Sequence, residues 1–330
     1  MAKSRCRSGL RKSLVICILA MALPLHAAEP VGVPRIGYVT LESAAAHAPF
    51  ATAFRQGLRE RGYIDGQNIL IEWRYAPDSP AQLPGLMDEL IRLRVDVLVA
   101  DGTQVALAAK RATSTIPIVV PLSSDLVAAG LAASLARPGG NITGFQHMSP
   151  DLVSKRLSLL KEVAPRTRRV AVLWNPDNPA SELQLKVAKA VAPDLGLELY
   201  PVSVRQVQEI DLAFPPLVGR VDSVLITDDV LLDTHRTRIT MAAIQSRLVS
   251  ICGYPLPGGT GCLISYGPDL VALFPRAARI VDLILKGAKP TDLPIEQPTT
   301  FRLSVDLKAA KALGRTIPQS LLDRADEVIK

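Results

Sequence analysis

Strand-length apolar runs alternate with helix-length segments along nearly the whole chain, and this alternation constrains the fold more than any other feature. Residues 35–40 form a short apolar strand pattern. Residues 49–62 then place Phe50, Phe54 and Leu58 at helical spacing and end at Gly62, suited to a left-handed helix cap. The series continues with strands predicted at 68–75, 95–100 and 116–122 and helices at 81–93, 104–112 and 126–136, before Pro138-Gly139-Gly140. Strands separated by helices imply right-handed crossovers and a parallel sheet. The runs lack strict polar alternation, as burial on both faces requires.

The pattern then restarts. Helices are expected at 150–163, 181–195, 207–218 and 234–247, with strands at 170–174, 197–202, 223–227 and 249–254. The reading is an α/β protein of two doubly wound parallel-sheet lobes joined by a multi-strand hinge. Lobe 1 spans 34–147 with a return segment at about 268–298, lobe 2 spans 148–267, and the lobe of the C-terminal segment 299–330 stays open. Hinge strands are expected near 144–149, 265–268 and 298–302.

The first 28 residues do not belong to that scheme. Lys3, Arg5, Arg7, Arg11 and Lys12 precede an apolar run from Ser13 to Leu23, and Leu25-His26-Ala27-Ala28 offers small residues for cleavage. This is the layout of a signal peptide, with a run too short to span a bilayer. A periplasmic chain is therefore expected. Removing residues 1–28 takes five cations away and leaves 33 basic against 31 acidic side chains, so the formal charge of +7 carries no argument for nucleic acid. Cys252 and Cys262 stay in the exported body. They either close a short loop as a disulfide or lie as two buried thiols in neighbouring strands.

Open parallel sheets bind ligands at the carboxyl ends of their strands. Here those ends are polar. Thr40, Glu42 and Ser43 follow the first strand, Asp101-Gly102-Thr103-Gln104 the third and Ser123-Ser124-Asp125 the fourth. The second series supplies Asn175 and Asp177, then Thr227-Asp228-Asp229, then Tyr254. Thr103 and Ser124 or Asp125 stand where helix N-caps do, and the N–H groups beyond them suit a carboxylate. No pair among His47, His147 and His235 has metal-ligand spacing, and no nucleophile elbow, Walker loop or complete dinucleotide fingerprint is present. Neither a metal nor another cofactor is expected, and Gly258-Gly259-Thr260-Gly261 reads as a tight loop. Asp228-Asp229 as a paired acid and base would make a secreted hydrolase, but adjacent residues of an extended segment face opposite ways.

Several blocks carry a family resemblance: Phe54 to Glu60 (FRQGLRE), Ala108 to Pro117 (AAKRATSTIP), Leu131 to Gly144 (LAASLARPGGNITG), Val170 to Ser181 (VAVLWNPDNPAS), Ser265 to Pro268 (SYGP) and Ala309 to Ala325 (AAKALGRTIPQSLLDRA). With these the chain resembles the ABC transporter substrate-binding proteins of the tryptophan/tyrosine type, which have a type I periplasmic-binding fold. The resemblance implies two lobes that close on a small amino-acid-like or carboxylate-bearing solute. It also implies a monomeric binding protein, not an enzyme, that docks on an ABC permease with a separate ATPase. Carried over by position, Thr103 and Gln104 form the polar turn after the third strand and Ser124-Asp125 the next turn. Asn175 belongs to the W-N-P motif, Asp229 is the acid set against an ammonium, and Tyr266 lies in the crossover. Val230-Leu231-Leu232 stands where relatives carry aromatics, and Cys252 replaces an aromatic before Gly253. Those departures point away from an aromatic amino acid. A sensory module that reports ligand state to a receptor fits the same features.

Overall fold

The computed structural model describes residues 32–147, 149–255 and 261–330, so the signal peptide expected at residues 1–28 and most of the glycine-rich loop lie outside them. In β1 (Arg35–Thr40), Ile36 and Tyr38 face one side and Val39 the other, and all three are buried. That two-sided burial explains the unbroken apolar run. α1 (Ala44–Arg59) covers the Ile36 face, followed by β2 (Leu70–Tyr75) and then α2 (Leu83–Arg92), which covers the Val39 face. β3 (Val97–Asp101), α3 (Thr103–Ala112), β4 (Ile118–Val120) and β5 (Ile142–Gly144) complete a parallel sheet of order β2-β1-β3-β4-β5.

Between β4 and β5 the structure departs from the expected helix at 126–136. The chain makes one turn there. Asp125 Oδ1 accepts from the Val127 and Ala128 amides, Leu131 N–H returns to the Leu126 carbonyl, and Gly130 takes φ 68°. A left-handed residue directly after one turn closes it and redirects the chain. Asp125 therefore caps a turn, not a helix, and Ser124 caps neither.

α4 (Ser149–Val163) leads into the second lobe, where β6 (Arg169–Trp174), α5 (Pro179–Val191) and β7 (Glu198–Ser203) follow in order. The helix expected at 207–218 is shorter: α6 (Glu209–Ala213) gives way to a 3-10 turn at Pro215–Leu217, because Pro215 and Pro216 lack the N–H that helix propagation needs. β8 (Ser223–Ile226), α7 (Val230–Thr234), α8 (Arg236–Gln245), β9 (Val249–Cys252) and β10 (Ile264–Pro268) complete the parallel part of this sheet. Cys252 and Cys262 are joined by a disulfide between the end of β9 and the approach to β10, with Cα atoms 6.2 Å apart.

α9 (Leu273–Leu285) then returns to the first lobe. Phe274, Ala277, Ala278 and Val281 pack beside Phe50, Phe54 and Leu58 of α1. Beyond it Glu296 exchanges backbone hydrogen bonds with the Gly144–Gln146 segment. β11 (Phe301–Asp306), α10 (Leu307–Ala312), α11 (Gln319–Leu322) and β12 (Glu327–Ile329) go back to the second sheet, whose order is β12-β11-β10-β9-β8-β6-β7. One pairing breaks the parallel rule: β11 runs antiparallel to β10. β10 leaves the second lobe toward the first, so a chain coming back enters at the same end and must run the other way. Among the described residues no helix is long and apolar enough to cross a membrane.

Candidate functional site

The carboxyl ends of both sheets face each other across a cavity of about 50 Å³. Thr40, Asp101, Thr103, Ser123 and Ser124 reach it from the first lobe, and Asn178, Asp228, Asp229, Asp233 and Tyr254 from the second. The lobes touch around it. Gln104 Nε2 donates to the Asp177 carbonyl at 2.8 Å, and His235 Nε2 lies 3.1 Å from Asp78 Oδ2.

In the first lobe, α1 places a histidine on its apolar stripe. His47, Phe50, Ala51, Phe54 and Leu58 follow helical spacing and are all buried. The His47 Nδ1 atom faces carboxylates, 2.8 Å from Glu42 Oε2 and 3.5 Å from Asp101 Oδ2, so this nitrogen carries a proton. Nε2 lies 3.0 Å from the Tyr38 hydroxyl, which donates to Asp101 Oδ2 at 3.4 Å. No described residue donates to Asp101 Oδ1, although Asp101 is only 6% exposed. Burial, with the nearby Glu42 charge, pushes the Asp101 carboxyl up to about 7 against the opposing pull of His47. Gly102, at φ 100°, is the N-cap of α3, which corrects the expectation that Thr103 caps it; Thr103 is the first helical residue. Its hydroxyl lies 3.0 Å from that of Ser123, while the buried Ser124 hydroxyl has no hydrogen-bond partner among the described residues.

In the second lobe two buried arginines organise the strand ends. Arg156 Nε donates to the Tyr266 carbonyl at 2.9 Å, one terminal nitrogen to Asp228 Oδ2 at 3.0 Å, and the other to the Gly253 carbonyl at 2.9 Å. Gly253 is required there by close approach, since a Cβ would lie 1.3 Å from Asp228 Oδ1. Arg236 pairs with Asp233, donates to the Tyr254 carbonyl at 2.6 Å and lies over the Tyr254 ring. The Tyr254 hydroxyl donates to Asp233 Oδ2 at 2.6 Å. Burial raises Asp233 to about 6 against the pull of Arg236, and burial lowers His147 to about 4, leaving that imidazole neutral at pH 7. Asp229 is the N-cap of α7. Its Oδ1 accepts from the Leu232 amide, and its Oδ2 accepts from the Asn175 and Asn178 side chains at 3.2 and 2.8 Å. Burial raises its pKa while those donors oppose the shift.

Of the residues singled out in the sequence, Thr103, Ser124, Asp229 and Tyr254 line the cavity. Asn175 stands behind Asp229, and Gln104 bridges the lobes at the rim. Three lie elsewhere. Ser43 caps α1 by accepting from the Ala46 amide, Asp125 caps its turn and borders an outer groove of about 550 Å³, and the Tyr266 ring stacks on Phe301 beside the second-lobe core. The groove is the larger space, but of the strand ends it takes only Trp174, whereas the cavity gathers strand ends from both sheets and is the better candidate. Sequence reasoning missed Asn178, Asp233, His47 and the two arginines. Arg156 falls at helical spacing with Val153 and Leu160, and Arg236 with Ile239 and Ala243, so a cation on an apolar stripe was the available signal. Among the described residues no cluster of side chains could hold a metal ion.

The family model described as ABC transporter substrate binding protein matches residues 39–329. A tyrosine-binding protein of Clostridioides difficile strain R20291 is 26% identical over 261 residues, covering 79% of this chain and 75% of that protein. Among solved structures, a Streptococcus pneumonia ABC domain in complex with L-Trp superposes with a TM-score of 0.84 at 25% identity, covering 90% of this chain and 99% of that one. A ligand-free, open substrate-binding protein from Clostridium difficile is 27% identical, covers 90% of this chain and 100% of that one, and superposes with a TM-score of only 0.65. At nearly equal identity and coverage, this chain superposes better on the L-Trp complex than on the ligand-free, open structure.

Proposed function

The chain belongs to the ABC transporter substrate binding protein family, and from that premise we propose that it captures a small, ammonium-bearing solute between its lobes and delivers it to an ABC permease. The observation that carries this reading is the carboxylate-lined cavity at the strand ends of both lobes, with the lobes in contact at its rim. Carboxylates line it from both sides, and an ammonium is the group they suit. The named ligands of two relatives, tyrosine and L-Trp, both carry one. Capture takes place outside the cytoplasm, as the cationic start and short apolar run at residues 1–23 suggest.

The arrangement supports binding without chemistry. A hydrolytic pair needs one carboxyl to hold a mobile proton and the other to face the reacting centre. Asp228 is instead engaged by Arg156, and Asp229 caps α7 while accepting from two asparagines. The test is calorimetry of the purified chain against short amines and amino acids, with solution scattering alongside. Binding should shrink the radius of gyration, and the ligand should be recovered unchanged. Turnover of the solute, or binding with no change in dimensions, would reject capture by closure.

A further inference from the structure

We propose that the solute is a short amine lacking a carboxylate, and that its cationic group is received by Asp101 of the first lobe, with Glu42 beside it. This rests on the capture of a solute between the lobes proposed above, and it narrows the class of solute. Five carboxylates line the cavity, those of Glu42, Asp101, Asp228, Asp229 and Asp233. The guanidiniums that reach them, Arg156 and Arg236, are already committed to Asp228 and Asp233 and to backbone carbonyls. Neither is left to face a carboxylate on the solute. His147 does not supply a positive charge at neutral pH, because burial holds it low. A further anion enclosed here would meet excess negative charge in a poorly solvated space, whereas a cation relieves it.

Acceptor capacity then selects the residue. Asp229 already accepts from the Leu232 amide and from both Asn175 and Asn178. Asp233 accepts from Arg236 on one oxygen and from the Tyr254 hydroxyl on the other. Asp101 differs. It is buried and borders the cavity, its Oδ2 is held by Tyr38, and its Oδ1 accepts from no described residue. Ser124 lines the same cavity, and its hydroxyl likewise hydrogen-bonds to no described residue, which adds a neutral acceptor for an ammonium. The Glu42–His47–Tyr38 chain behind Asp101 holds its carboxyl in place. Hydroxyls of Thr103 and Ser123 beside it do not change the sign of the wall.

The experiment is calorimetry at pH 8 with n-butylamine, 1,4-diaminobutane, L-alanine and L-tyrosine, on the wild type, Asp101→Asn and Asp229→Asn. The amines should bind and the zwitterions should bind at least tenfold more weakly. Asp101→Asn should weaken amine binding by about 10- to 150-fold, the loss expected for a charge-assisted hydrogen bond, and by more than Asp229→Asn does. A zwitterion that binds as tightly as either amine, or amine binding indifferent to Asp101→Asn, would overturn the inference while leaving capture intact. Silence from every compound would overturn capture of an ammonium-bearing solute itself. Should Asp101→Asn fail to fold, the wild type decides through pH. Asp101 is faced by Tyr38, Glu42 and His47 from its own lobe and by Asp228, Asp229 and Asp233 across the cavity. Amine affinity should rise as the pH passes upward through about 7, where Asp101 ionises. A flat profile between pH 6 and pH 8 would contradict the assignment.

Discussion

A carboxyl that is buried at Asp101, with its ordinary value of 3.8 raised to about 7, costs the unliganded fold stability whenever it is ionised. The sign follows from proton counts. Between about pH 4 and pH 7 the native state keeps a proton that the unfolded chain has lost, so stability falls as pH rises through that window. Asp233, raised to about 6, adds to the same slope. Asp101→Asn removes the larger contribution. The variant should be more stable than the wild type at pH 8 by on the order of 2 kcal/mol, with the difference fading near pH 4. Urea denaturation at both pH values checks this, and a variant less stable at pH 8 would show that the ionised carboxyl is well solvated after all. Such a trade, stability given up for a group that serves the ligand, is common at binding sites.

At the scale of elements, the end of β9 is where the second lobe concentrates its constraints. Within three residues it holds the disulfide at Cys252, the close approach at Gly253 and the Tyr254 contacts to Arg236 and Asp233. The Cys252–Cys262 bond closes a loop of sequence separation 10. In the chain-entropy model a loop of that size contributes about 2 to 3 kcal/mol. Replacing both cysteines by serine should lower the unfolding free energy by that amount, and reductant should bring the wild type down to the variant. An unchanged melting temperature under reductant would mean the loop is already ordered without the bond. The short turn after Asp125 teaches a related lesson. The stretch Leu126 to Ala136 is rich in Ala and Leu, which favour a helix, but Gly130 at φ 68° ends the turn before propagation can begin.

For the whole molecule, closure is held at the rim by few direct hydrogen bonds between opposite lobes. Gln104 to Asp177 and His235 to Asp78 are both solvent-facing, and exposed polar pairs contribute little each. Closure should therefore be set mainly by the solute. The double variant Gln104→Ala with Asp78→Asn should lower solute affinity by no more than about tenfold. Its unliganded radius of gyration by solution scattering should be at least as large as that of the wild type. A variant that loses binding altogether would place the stabilising energy of closure at the rim and not in the cavity.

Much of this was legible in sequence because strand and helix periodicities are local. The alternation of runs led to two parallel α/β lobes, and the polar residues at strand ends led to Thr103, Ser124, Asp229 and Tyr254 at the cavity wall. Local pattern says which face of an element is apolar. It does not say what lies opposite. His47, Arg156 and Arg236 all sit on apolar stripes, and whether such a residue is a buried partner or a solvated end depends on acids supplied from distant segments. Tyr266 was placed by tertiary structure for the same reason, stacking on Phe301, whereas Ser43 and Asp125 were drawn away from the cavity by local caps on amides two or three residues ahead. The antiparallel entry of β11 is likewise invisible to periodicity, because it follows from where the chain re-enters the second lobe. The residues alone determined the kinds of element and the chemistry at their ends; the meeting of two lobes decided which carboxylates share one enclosed space, because that depends on contacts between segments far apart in the chain.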